Sequence, residues 1–246
     1  MKVEAFLSEL RQMKLASLQS LTNGEPFVVL SPHPDDESLG VGGLIAAARA
    51  ERQRVDVVIL TDGSGSHPRS VAYPRDKLVA LRRVEAERAA ERLGVPLDRL
   101  AHLGLPDTQA PSEGPAFERA VERIVAIVDD AGAQSLFVSW GRDPHCDHEA
   151  ADRIARAVRA RRPHVKLWSY PIWGWFRDPE VEIDEPPPQG ARIDISAWLP
   201  AKRAAIAAHA SQMTDLIDDD PEGFRFEERT LAPFLGAYEY LFEVPA

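Results

Sequence analysis

Four of the five residues in the segment His-Pro-Asp-Asp-Glu, at positions 33–37, can carry or release a proton. The imidazole of His33 and the carboxylate of Asp36 are ligands that suit zinc and related divalent ions. Asp35 lies between them, where it could act as a base beside the metal. The alternative is an acidic turn that caps the following helix, with Asp36 or Ser38 as the N-cap residue. We favour the metal site because a second cluster occurs later in the chain.

The second cluster contains His145 and His148. Together with His33 and Asp36, His148 gives three protein ligands and leaves positions for water and substrate, as in catalytic metal sites. His145 is too close in sequence to His148 to share the metal comfortably. It could instead stabilise the oxyanion or protonate the leaving amine. Asp147 could orient one of the imidazoles from behind, or cap the helix that follows.

These residue types indicate metal-dependent hydrolysis of an amide. A divalent ion lowers the pKa of bound water toward ~7 and polarises a carbonyl oxygen. Asp35 could then take a proton from the water as it attacks the amide carbon. Zinc is the expected ion, although iron, manganese and cobalt suit the same ligands.

Both clusters follow predicted strands of an α/β fold. Strands that alternate with helices predict a mainly parallel sheet with helices on both faces. In the Rossmann-like order 3-2-1-4-5 the first and fourth strands are neighbours, so the metal site is expected at their carboxyl ends. The predicted strands are 26–31, 55–61, 99–103, 135–140, 166–170 and 193–195, and the predicted helices are 3–21, 40–52, 76–93, 115–131, 149–160 and 198–213.

Composition narrows the class of protein. We expect a single domain over residues 1–246, with the helix at about 3–21 packed on it. The formal charge of −10 argues against a nucleic-acid surface. No apolar run reaches the roughly 18 residues of a membrane span, and Glu4 and Glu9 interrupt any signal-like core. The single cysteine, Cys146, fits a reducing compartment, so we expect a cytoplasmic protein.

Several motifs in combination resemble those of the LmbE-like, or PIG-L, deacetylase family, over roughly residues 26–215. They are His-Pro-Asp-Asp-Glu at 33–37, Thr-Asp-Gly at 61–63, Arg82…Glu85…Leu93-Gly94-Val95, Leu-Gly-Leu-Pro-Asp at 103–107, His145-x-Asp147-His148 and the weaker Lys202…His209-x-Ser211-Gln212. The resemblance implies a Rossmann-like fold and zinc-dependent removal of N-acetyl groups from small N-acetylglucosamine-containing conjugates. It also implies that the chain can form homo-oligomers.

Carried over by position, the resemblance implies particular roles for seven residues. The metal ligands would be His33, Asp36 and His148, with Asp35 as general base, His145 as transition-state stabiliser, and Arg82 and Asp107 in contact with the sugar or its substituent. The sequence departs from the family pattern in three places. Cys146 replaces a common proline, Ser64 replaces a frequent acidic residue, and no tyrosine directly precedes His145. These departures bear on the substrate and on how the oxyanion is held.

Two other functions stay open at this stage. One is a metal-binding but inactive protein that acts through a partner. The other is a nucleotide-binding Rossmann module, although the third glycine of its fingerprint would fall at Ile45. The roles of Cys146 and of the aromatic cluster around Trp173 and Trp175 are also open. Core packing is the default for the cluster, with sugar stacking or an oligomer contact as alternatives.

Overall fold

The computed structural model describes residues 1–245, which build helices around one eight-stranded sheet in the order β1-β7-β8-β6-β5-β2-β3-β4. Strand β8 runs antiparallel to both of its neighbours, and the other pairs are parallel. The strands are β1 Leu15–Ala16, β2 Phe27–Ser31, β3 Val55–Thr61, β4 Leu100–Leu105, β5 Ser135–Ser139, β6 Lys166–Tyr170, β7 Gly190–Asp194 and β8 Tyr238–Glu243. The helices are α1 Val3–Arg11, α2 Leu18–Thr22, α3 Asp36–Ala50, α4 Arg75–Arg92, α5 Gly114–Ala131, α6 Cys146–Arg161, α7 Leu199–Ala208, α8 Ala210–Met213 and α9 Glu228–Leu231.

The predicted α/β fold class is confirmed. The first five predicted strands correspond to β2–β6, and their spatial order β4-β3-β2-β5-β6 is the predicted 3-2-1-4-5. Strand β2 is buried along its whole length because it is covered on both faces. Phe27 and Val29 pack into one hydrophobic cluster, whereas Val28 and Leu30 pack into the other. Because successive side chains of a strand point to opposite faces of the sheet, β2 packs against helices on both faces.

The predicted terminal helices are wrong in their extent. The single helix at 3–21 is divided into α1 and α2 by β1, which pairs with the edge strand β7. Ser17 then begins α2 with a capping box that it shares with Ser20. The predicted helix at 198–213 is broken at His209, whose backbone leaves the helical region. The sixth predicted strand corresponds to β7, and β8 was not predicted.

A buried ion pair stabilises the helix that follows the His-Pro-Asp-Asp loop. Helix α3 is interrupted at Val41, so nearby backbone N–H groups lose their helical partners. Glu239 of β8 accepts hydrogen bonds from the N–H groups of Gly43 and Leu44 at 2.7 and 2.8 Å. The ammonium group of Lys202, almost fully buried, donates to the same carboxylate at 2.7 Å. The C-terminal strand thus fixes the helix that carries Asp36.

The glycines of this helix serve packing. A Cβ atom on Gly40 would lie 2.2 Å from the ring of Tyr170, and one on Gly43 would lie 2.6 Å from Ile195. Helix α3 must therefore approach β6 and the segment after β7 without side chains at these positions. This requirement explains the glycine-rich pattern without a bound dinucleotide.

Substitution of Lys202 by methionine should lower the free energy of unfolding by about 3–5 kcal/mol, because Glu239 would remain buried without its counter-charge. Urea denaturation measures the change. Arg203→Met, on an exposed side chain of the same helix, should change the free energy by less than about 1 kcal/mol. Equal stability of the two variants would show that the buried pair does not support α3.

Candidate metal centre and active site

Loops at the carboxyl ends of adjacent strands bring the two predicted clusters together. His33 lies just after β2, and His145 to His148 lie where the loop after β5 enters α6. The Ser31 hydroxyl group donates to the carbonyl oxygen of His33 at 2.7 Å and lies 3.0 Å from a carboxylate oxygen of Glu37. These contacts fold the loop back on the strand end and turn His33 toward α6.

One carboxylate oxygen forms the centre of the cluster. Asp36 Oδ2 lies 3.1 Å from Nδ1 of His33 and 3.2 Å from Nε2 of His148. All three side chains are buried. Burial raises the pKa of Asp36, but the charge of His148 and the contacts with both imidazoles outweigh it, so that the pKa falls below its usual range. The carboxylate is therefore ionised between two ring nitrogens.

Each imidazole contacts a second carboxylate through the ring nitrogen that does not face Asp36. Nε2 of His33 lies 3.1 Å from Asp147, and Nδ1 of His148 lies 2.9 Å from Asp143. Histidines that bind metals commonly use one ring nitrogen for the metal and the other for such a carboxylate. Asp147 also accepts the backbone N–H groups of Thr108 and Ala110, so it does not cap α6.

Sequence reasoning missed Asp143. Its carboxylate accepts backbone N–H groups from Ile172 at 3.0 Å and Gly174 at 2.6 Å, besides its contact with His148. A Cβ atom on Gly174 would lie 2.6 Å from the ring of Trp140, which explains the glycine between two tryptophans. Asp143 precedes His148 by only five residues. That proximity was the one signal in the sequence.

Two groups of side chains bring possible ligand atoms within 4.8 Å of one another: His33, His145 and His148, and His33, Asp107, His145 and Asp147. The argument that His145 is too close in sequence to join such a cluster is therefore wrong. Its ring centroid lies 4.5 Å from that of His33. The backbone turns between His145, at the N-cap, and His148, inside α6, and this turn lets both rings face His33.

The contacts of the imidazole nitrogens of His33 and His148 indicate which of these side chains could bind a metal ion. Nε2 of His148 is buried and has no hydrogen-bond partner of good geometry within residues 1–245, although it faces Asp36 Oδ2. A buried nitrogen without a hydrogen-bond partner fits a cation held between the two side chains. Nδ1 of His33 points to the same oxygen. Two imidazoles and one carboxylate are ligand types that divalent transition metals use, although Asp36 belongs to neither of the groups whose ligand atoms all lie within 4.8 Å of one another.

Asp35 and Arg82 form a buried pair beside this set. Arg82 Nη2 lies 3.2 Å from Asp35 Oδ2 and also donates to the carbonyl oxygen of Pro34, while Nη1 donates to that of Gly63. Burial raises the pKa of Asp35 to about 7, against the opposing charge of Arg82. Gly63 has a left-handed φ of +69°, and a Cβ atom there would lie 2.8 Å from Arg82. The Thr-Asp-Gly motif thus makes room for the guanidinium group.

His145 is the more accessible histidine of the cluster. Its Nδ1 accepts the backbone N–H of Asp147 at 3.2 Å, so the proton of the neutral ring is on Nε2. Burial, together with the charges of His33 and His148, lowers the pKa of His145 to about 4. A neutral ring with an N–H donor therefore lines the site.

These groups surround a cavity of about 170 Å³. Asp107 lines it and accepts the N–H of Gly65 at 2.8 Å. The structure thus brings all eight candidate residues to one place, and two aromatic residues from distant segments join them. The lining residues are His33, Asp35, Asp36, Gly65, Ser66, Arg82, Asp107, Thr108, His145, Trp173, Gln212 and Phe224.

Within residues 1–245, none of the helices combines the length and the apolarity that a bilayer-spanning helix needs.

A mainly parallel α/β sheet with a His/Asp cluster at the carboxyl ends of β2 and β5 defines a candidate metallohydrolase. The family model described as PIG-L: GlcNAc-PI de-N-acetylase matches residues 28–159, just over half of the chain. The chain belongs to this family.

Individual relatives extend the likeness beyond the matched segment. A probable N-acetyl-alpha-D-glucosaminyl L-malate deacetylase 2 of Bacillus anthracis is 28% identical over 206 residues, which are 81% of this chain and 86% of the relative. The N,N'-diacetylchitobiose deacetylase of Pyrococcus horikoshii superimposes with a TM-score of 0.70 at 22% identity, over 98% of this chain and 92% of that one. The second comparison shows a shared fold.

The same fold also occurs in another class of enzyme. GalB, the 4-carboxy-2-hydroxymuconate hydratase of Pseudomonas putida, superimposes with a TM-score of 0.64 at 18% identity, over 90% of this chain and 97% of that one. The fold alone therefore does not fix the reaction, which must be argued from the site.

Replacement of Asp143 by asparagine should weaken zinc binding about 10- to 100-fold, since Nδ1 of His148 would lose its carboxylate partner. Competition with a chromogenic chelator measures the affinity. Asp178→Asn is the control, because Asp178 is exposed and accepts only a local backbone N–H. Unchanged affinity in Asp143→Asn would show that the carboxylate does not hold a metal ligand.

Proposed function

We propose that this protein is a zinc-dependent deacetylase that hydrolyses the N-acetyl group of a small amino-sugar conjugate. The observation that carries the proposal is the convergence of His33 and His148 on one buried oxygen of Asp36, beside a cavity. Membership of the PIG-L family and the deacetylase relative support the reaction class. The family likeness does not by itself assign roles to individual residues, so we infer these roles from the geometry of the site.

Asp36, Nδ1 of His33 and Nε2 of His148 would hold the ion. When bound, it polarises the amide carbonyl group and makes a water molecule more acidic. Asp143 and Asp147 keep the two rings in orientations that direct one nitrogen of each toward Asp36. Three protein ligands leave positions for water and substrate.

Asp35 is the general base in this proposal. It lines the cavity next to Asp36, where a positioned carboxylate can accept a proton from water. Arg82 fixes the carboxylate in place through its contacts with Asp35, Pro34 and Gly63. Nε of Arg82 is buried without a hydrogen-bond partner within residues 1–245.

His145 stabilises the transition state. Because its Nδ1 accepts a backbone N–H, the neutral ring donates from Nε2 to the developing oxyanion. The sequence has no tyrosine directly before it for this task. Asp107 also lines the cavity and accepts a hydrogen bond from a sugar hydroxyl group, while Gly65 N–H and Nε2 of His33, 3.4 Å away, keep the carboxylate in position.

Asp35→Asn and His145→Ala should each lower kcat for acetate release about 10²–10⁴-fold, since each removes a proton-transfer or oxyanion partner. The assay follows acetate from N-acetylglucosamine glycosides with zinc-loaded protein. Cys146→Ala is the control, because this exposed thiol directly follows His145 in the sequence but does not line the cavity. Turnover of Asp35→Asn at the rate of the Cys146→Ala control would refute the assigned base.

Removal of the metal should abolish turnover and leave the protein folded. Elemental analysis of protein purified without added metal is expected to show one zinc or related ion per chain. Dialysis against a chelator should remove the ion and the activity together, and added zinc should restore both, whereas His148→Ala should recover neither. Retained metal without hydrolysis over a broad panel of amides would instead favour an inactive metal-binding protein.

A further inference from the structure

Two aromatic side chains form one wall of the cavity. Trp173 lies in a short 3₁₀ turn after β6, and Phe224 comes from the segment before α9. Their rings meet edge to face, with centroids 5.5 Å apart. The buried ring of Phe226 stacks on Trp173 at 5.6 Å with an interplanar angle of 5°. Trp173 is therefore supported on one face by another ring, and we refer to Trp173 and Phe224 as the aromatic wall.

The aromatic wall is fixed to the loop after β3. The N–H of Phe224 donates to the carbonyl oxygen of Ser66 at 2.7 Å. A few residues earlier, the carboxylate of Asp219 accepts the N–H groups of Val71 and Ala72, each at 2.8 Å. These contacts hold the aromatic wall against the loop that carries Gly65 and Ser66, which also line the cavity.

The positive charges around the cavity are already paired. Arg82 is the only lysine or arginine among the lining residues, and both of its terminal nitrogens are bonded to protein oxygens. Three carboxylate side chains, those of Asp35, Asp36 and Asp107, line the same cavity. An anionic group that entered the cavity would therefore meet three carboxylates and a single guanidinium group that is already hydrogen-bonded to the protein.

The size of the cavity limits what it can enclose. At about 170 Å³ it is smaller than the ~300–1,000 Å³ pockets that bury drug-sized ligands. One sugar ring with its acetamido group fills such a volume. The group attached to the sugar must then extend out of the enclosed volume, and the aromatic wall is the apolar surface available to it.

We propose that Trp173 and Phe224 are specificity-determining residues, and that the site takes amino-sugar conjugates whose attached group is uncharged or cationic in preference to anionic ones. The inference rests on the proposed deacetylase function. An apolar face packs against the rings, and a cation is attracted to them. An anion would lose water at the mouth without gaining a counter-charge.

The test uses three N-acetylglucosamine glycosides of almost equal size: propyl, 2-aminoethyl and carboxymethyl. With zinc-loaded protein, kcat/KM for the propyl and 2-aminoethyl glycosides should exceed that for the carboxymethyl glycoside by at least about tenfold, equivalent to about 1.4 kcal/mol. Equal values, or a preference for the carboxymethyl glycoside, would overturn the inference and leave the deacetylase function intact. No acetate from any of the three would overturn the proposed function and the inference with it.

Variants locate the selectivity on the wall. Trp173→Ala should raise KM for the propyl glycoside about tenfold with little change in kcat, because a binding surface is lost and the reacting groups stay in place. Trp173→Leu keeps apolar volume against Phe226 and should show the same rise, whereas Trp173→Phe should retain most of the affinity. Phe176→Ala is the matched control, since Phe176 contacts Trp173 but lies outside the cavity lining. KM values unchanged in folded Trp173→Leu would refute a role for the ring.

Discussion

The site depends on one buried carboxylate oxygen that lies between two imidazole nitrogens. Burying an ionised carboxylate away from water costs free energy unless the carboxylate is paired with a positive charge and hydrogen-bonded. Asp36 meets this requirement through His33 and His148, and these rings in turn need Asp147 and Asp143 on their outer nitrogens. The charges are thus mutually dependent. Such an arrangement holds ring nitrogens and a carboxylate oxygen close enough to share a cation.

Distant parts of the chain keep this arrangement in place. Lys202 and Glu239 support helix α3. Nε2 of the buried His209 lies 3.6 Å from a carboxylate oxygen of Glu37, beside the loop that carries His33. Ser211 donates twice to Glu85 of α4, the helix that also carries Arg82. The C-terminal third of the sequence therefore acts as a scaffold for loops that lie near its beginning. These contacts place the reacting groups in the folded protein itself, as catalysis by positioned groups requires.

Much of the geometry was predictable because parallel strands impose it. Once β2 and β5 are adjacent, their following loops must share an edge, so His33 and His148 come together from 115 residues apart. Contacts set by side-chain packing were not predictable. The pairing of Arg82 with Asp35 depends on a turn at Gly63, and Asp143 depends on backbone N–H groups from β6 onward. The aromatic wall joins two segments that show no pattern linking them, and β8 inserts itself antiparallel between β6 and β7.

The most direct test of this account is the position of the ion. Anomalous diffraction at the zinc edge, from crystals of the protein grown with zinc, should give one peak bonded to Nδ1 of His33, Asp36 and Nε2 of His148, at about 2.0–2.2 Å from each atom. A peak among His33 Nε2, Asp107, His145 and Asp147 would contradict the account, because it would place the metal on the groups assigned to substrate and support.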